Sequence, residues 1–166
     1  SRGLIRNFSG AERRLFPPPR QSSPPPVQMK AIIVPGNGDG DVRSSNWYAW
    51  LEAKLKASGR FSDVILRDMP DPNAARRSVW LPFLLSLGAD EGTVLIGHSS
   101  GAEAALRLLE DHRLRGAVLV SSCHTDLGDA GERASGYYPP SGGDWQWEKI
   151  RANAGPDGGN IRILHS

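Results

Sequence analysis

The sequence predicts an α/β fold: a mostly parallel sheet with helices on both faces, forming a three-layer sandwich. Three observations carry that reading. From Met29 onward, short apolar runs alternate with stretches of helical spacing, as in parallel strands joined by crossover helices. The runs are about four residues long and mostly aliphatic, the length and composition of buried strands. One of them, Val94-Leu95-Ile96, passes directly through Gly97-His98-Ser99-Ser100-Gly101 into a helical pattern.

Taken in order, residues 31–34 read as the first strand and residues 44–57 as a helix. Serine or asparagine is available to cap that helix, and Trp47, Leu51 and Leu55 stack at four-residue spacing. Residues 64–66 form the second strand. Asp71-Pro72 is a helix start, with Asp as N-cap and Pro in the first turn, and Pro82 is expected to break or restart that helix before Leu87. Residues 93–96 and 117–120 are the next strands, joined by a helix on which Ala102, Ala105, Leu106 and Leu109 share a face. A short helix starts at Trp145, and residues 161–164 have the composition of one more strand.

The pentapeptide fits the G-x-S-x-G pattern of a nucleophile elbow, which makes Ser99 the candidate catalytic residue. A nucleophilic serine must stand above the sheet on a tight strand-to-helix turn, where side-chain bulk would clash. Gly97 and Gly101 let the turn close and the helix pack. A free hydroxyl is a poor nucleophile, so a base must take its proton. The same residues would also serve as a plain Gly-Ser turn with no chemistry.

Composition narrows the classes. At 166 residues and 39% hydrophobic content, one domain with one core is expected. Cys123 is the single cysteine, so no internal disulfide forms, structural zinc has no ligand spacing, and a reducing, cytoplasmic setting is expected. No apolar stretch approaches the roughly 20 residues that cross a bilayer, so no membrane partner is expected. The net charge is +2, but residues 1–28 hold five arginines against one glutamate, leaving −2 on the remainder. That slightly acidic body argues against nucleic acid as a partner. Residues 1–28, with two proline triplets, read as a disordered leader, and residues 29–166 as the folded domain. The leader suits an organelle-targeting end or an extension upstream of an ordinary start at Met29; the second fits better because Met29-Lys30 opens the first strand.

The remaining candidates are weaker. The loop Pro35-Gly36-Asn37-Gly38-Asp39-Gly40-Asp41 lacks the Gly-Lys-Ser/Thr ending of a phosphate-binding loop, and its aspartates would repel phosphate. Its backbone suits an oxyanion better, with the N–H groups of Asn37 and Ser100 as the donor pair. Among the histidines, His98 points away from Ser99 on an ordinary turn, His112 suits a helix end, and His124 is the local base to consider. His165 sits at a strand end, where an acid is expected. Asp126, Asp129 and Glu132 read as a solvated loop with capping aspartates, without the spacing of a calcium loop. Tyr137, Tyr138, Trp145 and Trp147 suit an acyl pocket or a core edge equally.

Together, Ile33-Val34-Pro35-Gly36-Asn37-Gly38, Met69-Pro70-Asp71-Pro72, Ile96-Gly97-His98-Ser99-Ser100-Gly101 and Trp145-Gln146-Trp147-Glu148-Lys149-Ile150 resemble the retinoblastoma-binding protein 9 family of small serine hydrolases. The stretch from Asp126-Leu127-Gly128 to Glu132-Arg133-Ala134-Ser135-Gly136-Tyr137 is similar to it as well. The resemblance implies an α/β-hydrolase fold with little or no lid, Ser99 as nucleophile, and no metal or organic cofactor. It also places a triad aspartate just beyond the strand at 161–164 and a triad histidine farther on. The sequence stops at Ser166 before either, so it is expected to be a shortened product, with impaired turnover, poor solubility and the C-terminal part of the fold missing. Pocket-protein recognition needs Leu-x-Cys-x-Glu. Here Leu87-Gly88-Ala89-Asp90-Glu91 has Ala89 in place of the cysteine, so a retinoblastoma-type partner does not carry over.

The function expected from the sequence is hydrolysis of a small ester or amide through an acyl-enzyme on Ser99. The alternative is a non-catalytic binding or regulatory protein that keeps the fold. A nucleotide-binding domain is a third, weaker reading.

Overall fold

Ala31, Ile32, Ile33 and Val34 are all buried, and a run of aliphatic residues with both faces covered can only be the middle of a sandwich. They lie in β1 (Lys30–Val34), which pairs in parallel with β2 (Asp63–Leu66) on one side and β3 (Thr93–His98) on the other. β4 (Gly116–Val120) and β5 (Ile161–Leu164) extend the sheet beyond β3, giving the order β2-β1-β3-β4-β5 with every pairing parallel. The computed structural model describes residues 28–165; the leader reading, apart from Gln28, lies outside the described residues.

Side chains alternate across the sheet and build two cores where the sequence reading expects one, because a sheet covered on both faces separates the apolar residues that it carries. Ile32, Val34, Leu95 and Leu119 face α2 (Arg77–Ser86), α3 (Ser100–Asp111) and α5 (Trp147–Asn153). Ala31, Ile33, Leu66 and Ile96 face the other way, onto Tyr48 of α1 (Tyr48–Ala57). Helices therefore cover both faces, in the three layers that the alternating pattern predicts.

Several boundaries differ from the sequence reading. The first helix starts at Tyr48 rather than 44, because Asn46 has φ 46° and interrupts the turn. Ser44 and Ser45 do not cap it; their hydroxyls bond Asp41 instead. Asp71 and Pro72 start no helix. Asp71 (φ 53°) and Ala75 (φ 46°) bracket a single closed turn, and α2 begins only at Arg77. Pro82 sits inside α2 without ending it. The carbonyl it leaves unbonded, that of Ser78, is on the exposed side, while buried Trp80 and Leu84 hold the opposite face to the core. The acidic loop contains a short helix, α4 (Ala130–Ser135), whose N-cap Asp129 accepts from Glu132 N–H at 2.9 Å.

Candidate active site

β3 hands over to α3 through Ser99 alone, which has φ 49° and ψ −125°. That is a sparsely populated conformation for a residue with a side chain, and it persists only where neighbours hold it. The neighbours are visible. The Ser99 N–H donates to Val120 O at 2.9 Å, and its carbonyl accepts from Ala102 N–H at 2.7 Å. The turn is closed by backbone in near contact. A β-carbon on Gly97 would lie 2.3 Å from Gly101 O, and one on Gly101 would lie 2.4 Å from Val34 O. The sequence places glycine at the two positions where nothing larger fits.

The loop after β1 runs beside this turn. Val34 is paired with Gly97, so residues 35–37 leave the sheet at the level of His98 and Ser99, at the carboxyl ends of the strands. A β-carbon on Gly36 would lie 3.4 Å from Ser99 Cβ. The flanking amides of this loop are occupied: Gly36 N–H donates to Tyr48 Oη at 3.0 Å and Gly38 N–H to Pro72 O at 2.8 Å. Between them, the Asn37 N–H has no hydrogen-bond partner among the described residues, and neither does the Ser100 N–H, the first of α3.

Asn37 reaches across the site with its side chain. Its Nδ2 donates to Glu132 Oε1 at 3.2 Å, and Tyr138 Oη donates to Glu132 Oε2 at 3.2 Å. Glu132, read from the sequence as part of a solvated loop, thus links the β1 loop to the buried Tyr138 through α4. Beneath it, Glu103 of α3 is 1% exposed and accepts from Cys123 N–H at 2.6 Å. Burial pushes the Glu103 carboxyl up to about 8, with the bond from Cys123 opposing and the Glu132 charge adding to the rise. Burial likewise raises the Cys123 thiol and the Tyr138 hydroxyl.

The histidines are dispersed. The His98 ring packs edge-on to Trp47, with centroids 5.7 Å apart, and its Nδ1 lies 2.7 Å from Tyr48 Oη. Burial lowers its pKa, with Asp39 opposing. His112 caps the C-terminus of α3. His124 is exposed, and its carbonyl accepts from Trp145 Nε1 at 2.8 Å. His124 and His165 both line a trough of about 640 Å³ between α5 and β5, with Leu106, Cys123, Trp147 and Ile161. Among the described residues no side chain is hydrogen-bonded to Ser99 Oγ.

The aromatic cluster is divided. Tyr137 and Tyr138 are buried, whereas Trp147 is half-exposed and stacks on Trp145 at 5.3 Å. The Arg107 guanidinium lies 3.8 Å over the Trp145 ring. Arg107 is itself buried. It donates to the carbonyls of Tyr137, Gly143 and Asp144 and to Glu110 Oε1, so α3 holds the 137–145 loop in place. Sequence reasoning missed Arg107, Glu110 and Glu103 as buried groups. Their spacing on one face of α3 was the available signal, but it is also the spacing of a solvated face.

A family model described as serine hydrolase matches residues 31–139. The rat serine hydrolase RBBP9 is 51% identical over 125 residues, covering 75% of this chain and 65% of the rat protein. The putative hydrolase YdeN of Bacillus subtilis is 39% identical over 85 residues, 47% of this chain and 43% of that protein. The crystal structure of the B. subtilis ydeN gene product superposes with a TM-score of 0.63 at 26% identity, covering 83% of this chain and 71% of that one. The chain thus spans just under two thirds of the rat relative's length and, in the sequence match, less than half of YdeN's, while the superposition reaches 71% of the YdeN chain. The parallel sheet with helices on both faces is α/β-hydrolase-like, and the chain belongs to the serine hydrolase family.

Proposed function

We propose that residues 29–166 are a partial α/β-hydrolase domain that carries the nucleophile and oxyanion elements of a hydrolase for small esters or amides. Ser99 Oγ attacks the carbonyl carbon, the carbonyl π electrons move onto oxygen, and the N–H groups of Asn37 and Ser100 receive the resulting negative charge. Collapse of that tetrahedral species expels the alcohol or amine and leaves an acyl group on Ser99. A base must take the serine proton and water must later release the acyl group.

The observation that carries this reading is the backbone of Ser99, a serine held at φ 49° between β3 and α3, with the amides of Asn37, in the loop after β1, and Ser100, at the start of α3, unbonded among the described residues. No organic cofactor or metal enters the scheme. The compartment is proposed to be cytoplasmic on the strength of the lone Cys123; among the described residues no helix is long and apolar enough to cross a membrane. Neither nucleic acid nor a retinoblastoma-type pocket protein is part of the reading. The 87–91 stretch that would have to present the pocket-protein motif turns sharply at Gly88, with φ 82°, and carries Ala89 where cysteine is needed.

A second reading, a binding protein on the same fold, is favoured by one observation: Ser99 Oγ has no hydrogen-bonded base among the described residues. A fluorophosphonate probe separates the two. Covalent labelling of the chain that disappears in Ser99→Ala supports the hydrolase; absence of labelling in a folded, monomeric preparation supports the binding protein.

A further inference from the structure

We propose that Tyr48 is the positioning residue of the oxyanion loop: its hydroxyl ties the Gly36 backbone and the His98 ring to one point, fixing the Asn37 segment against the Ser99 turn. The inference rests on Ser99 as nucleophile. Tyr48 is fully buried at the first residue of α1, on the far side of the sheet from α3. Its Oη accepts from Gly36 N–H at 3.0 Å, lies 2.7 Å from His98 Nδ1, and donates to Asp39 Oδ2 at 2.9 Å. Asn46 Nδ2 donates to the same oxygen at 3.4 Å.

A phenol has one proton and two lone pairs. The Asp39 carboxylate only accepts and the Gly36 amide only donates, so the phenol proton goes to Asp39 and one lone pair to Gly36. The second goes to His98 at 2.7 Å, with the proton on Nδ1, in preference to Asn46 Nδ2, which is 3.4 Å away and is shared with the Asp39 carboxylate. This assigns the His98 tautomer. Burial keeps Tyr48 protonated and favours neutral His98, which matches the assignment. Three segments meet at this one oxygen: the loop after β1, the turn before α1 and the last residue of β3. Asn37 lies between two pinned amides, those of Gly36 and Gly38, and its own N–H is the one left to face a ligand. Oxyanion donors are effective in proportion to how firmly they are held before the reaction, so the hydroxyl that pins Gly36 governs the Asn37 donor.

The test compares the full chain with Tyr48→Phe by three measurements: the rate of Ser99 labelling with a fluorophosphonate, amide hydrogen exchange at Gly36, and the ¹⁵N signals of the His98 ring. The expected results are labelling slowed about tenfold, the effect of losing one hydrogen bond, faster Gly36 exchange, and a shifted His98 Nδ1 signal. A general loss of packing would not move that ring signal selectively. Unchanged labelling in a variant whose Gly36 exchange has risen overturns the proposal, and so does unchanged exchange. If the wild-type chain is not labelled at all, the nucleophile assignment falls, and Gly36 exchange alone decides whether Tyr48 anchors the loop. Should Tyr48→Phe fail to fold, His98→Phe removes the other half of the tie. It is expected to slow labelling to a similar extent, and an unchanged rate overturns the proposal.

Discussion

Glu103 Oε1 accepts the Cys123 N–H at 2.6 Å, joining the first turn of α3 to the segment that follows β4. The carboxyl is buried, and its pKa rises from the ordinary 4.5 to about 8. Folding therefore takes up a proton between those values: the folded form holds it while the unfolded chain has released it. Stability is unaffected by this group below about pH 4.5, falls as pH rises toward 8, and levels off above it, with a limiting slope of about 1.4 kcal/mol per pH unit. Glu103→Gln mimics the protonated acid and keeps the acceptor for Cys123. Its advantage over wild type in urea unfolding is expected to be small at pH 5 and to grow to a few kcal/mol at pH 8. An advantage independent of pH would show that Glu103 does not titrate in this window.

Ser99 holds a backbone conformation that a β-carbon disfavours, with φ 49° and ψ −125°. Ser99→Gly relieves that strain, partly offset by the greater freedom of glycine in the unfolded chain. Relative to Ser99→Ala, which removes the hydroxyl but keeps the strain, it is expected to gain about 1 kcal/mol. Chemical denaturation of the two variants side by side measures this directly.

Gly97 packs against Gly101, and Gly101 against Val34, so the first atoms a new β-carbon would meet are backbone at 2.3 and 2.4 Å. Backbone cannot rotate out of the way. Gly97→Ala and Gly101→Ala are each expected to cost about 3 kcal/mol, the upper part of the range for overpacked sites. By contrast, Gly40→Ala, where nothing lies within 4 Å, is expected to leave the melting temperature nearly unchanged.

Arg107 and Glu110 are both buried and 2.7 Å apart. Arg107→Ala would leave the Glu110 carboxylate and three carbonyls without their main donor. The expected loss is about 3–5 kcal/mol. Lysine does not rescue it, because one ammonium cannot replace a planar fork that bonds several acceptors and covers the Trp145 ring. The double variant Arg107→Met with Glu110→Gln is expected to recover much of the loss, by removing the unpaired charge; thermal unfolding of the set tests this.

The strands were legible because each is a run of aliphatic residues with a parallel neighbour on both sides or one. Their cores need no information beyond local composition, and the observed ranges agree within two residues. The turn at Ser99 was legible for a similar reason, since its two glycines answer contacts made within five residues of chain and with the end of β1. Helix starts were harder. Asp71-Pro72 has the residues of a cap, yet the positive φ of Asp71 diverts the chain, and that is decided by tertiary packing. α4 escaped notice because six residues, Ala130–Ser135, offer no apolar period. The polar ties were least legible. Nothing local to Tyr48 announces that its hydroxyl meets Gly36 and His98, residues 12 and 50 positions away.

α3 has one further consequence. Eleven of its twelve residues, from Ser100 to Glu110, are buried, although its sequence carries the three-to-four-residue rhythm of a helix with one wet side. Tolerance to substitution along this helix will not oscillate with that rhythm. A saturation scan will find an unbroken block of intolerant positions ending at Asp111, because here the charged stripe is interior architecture and has no surface to yield.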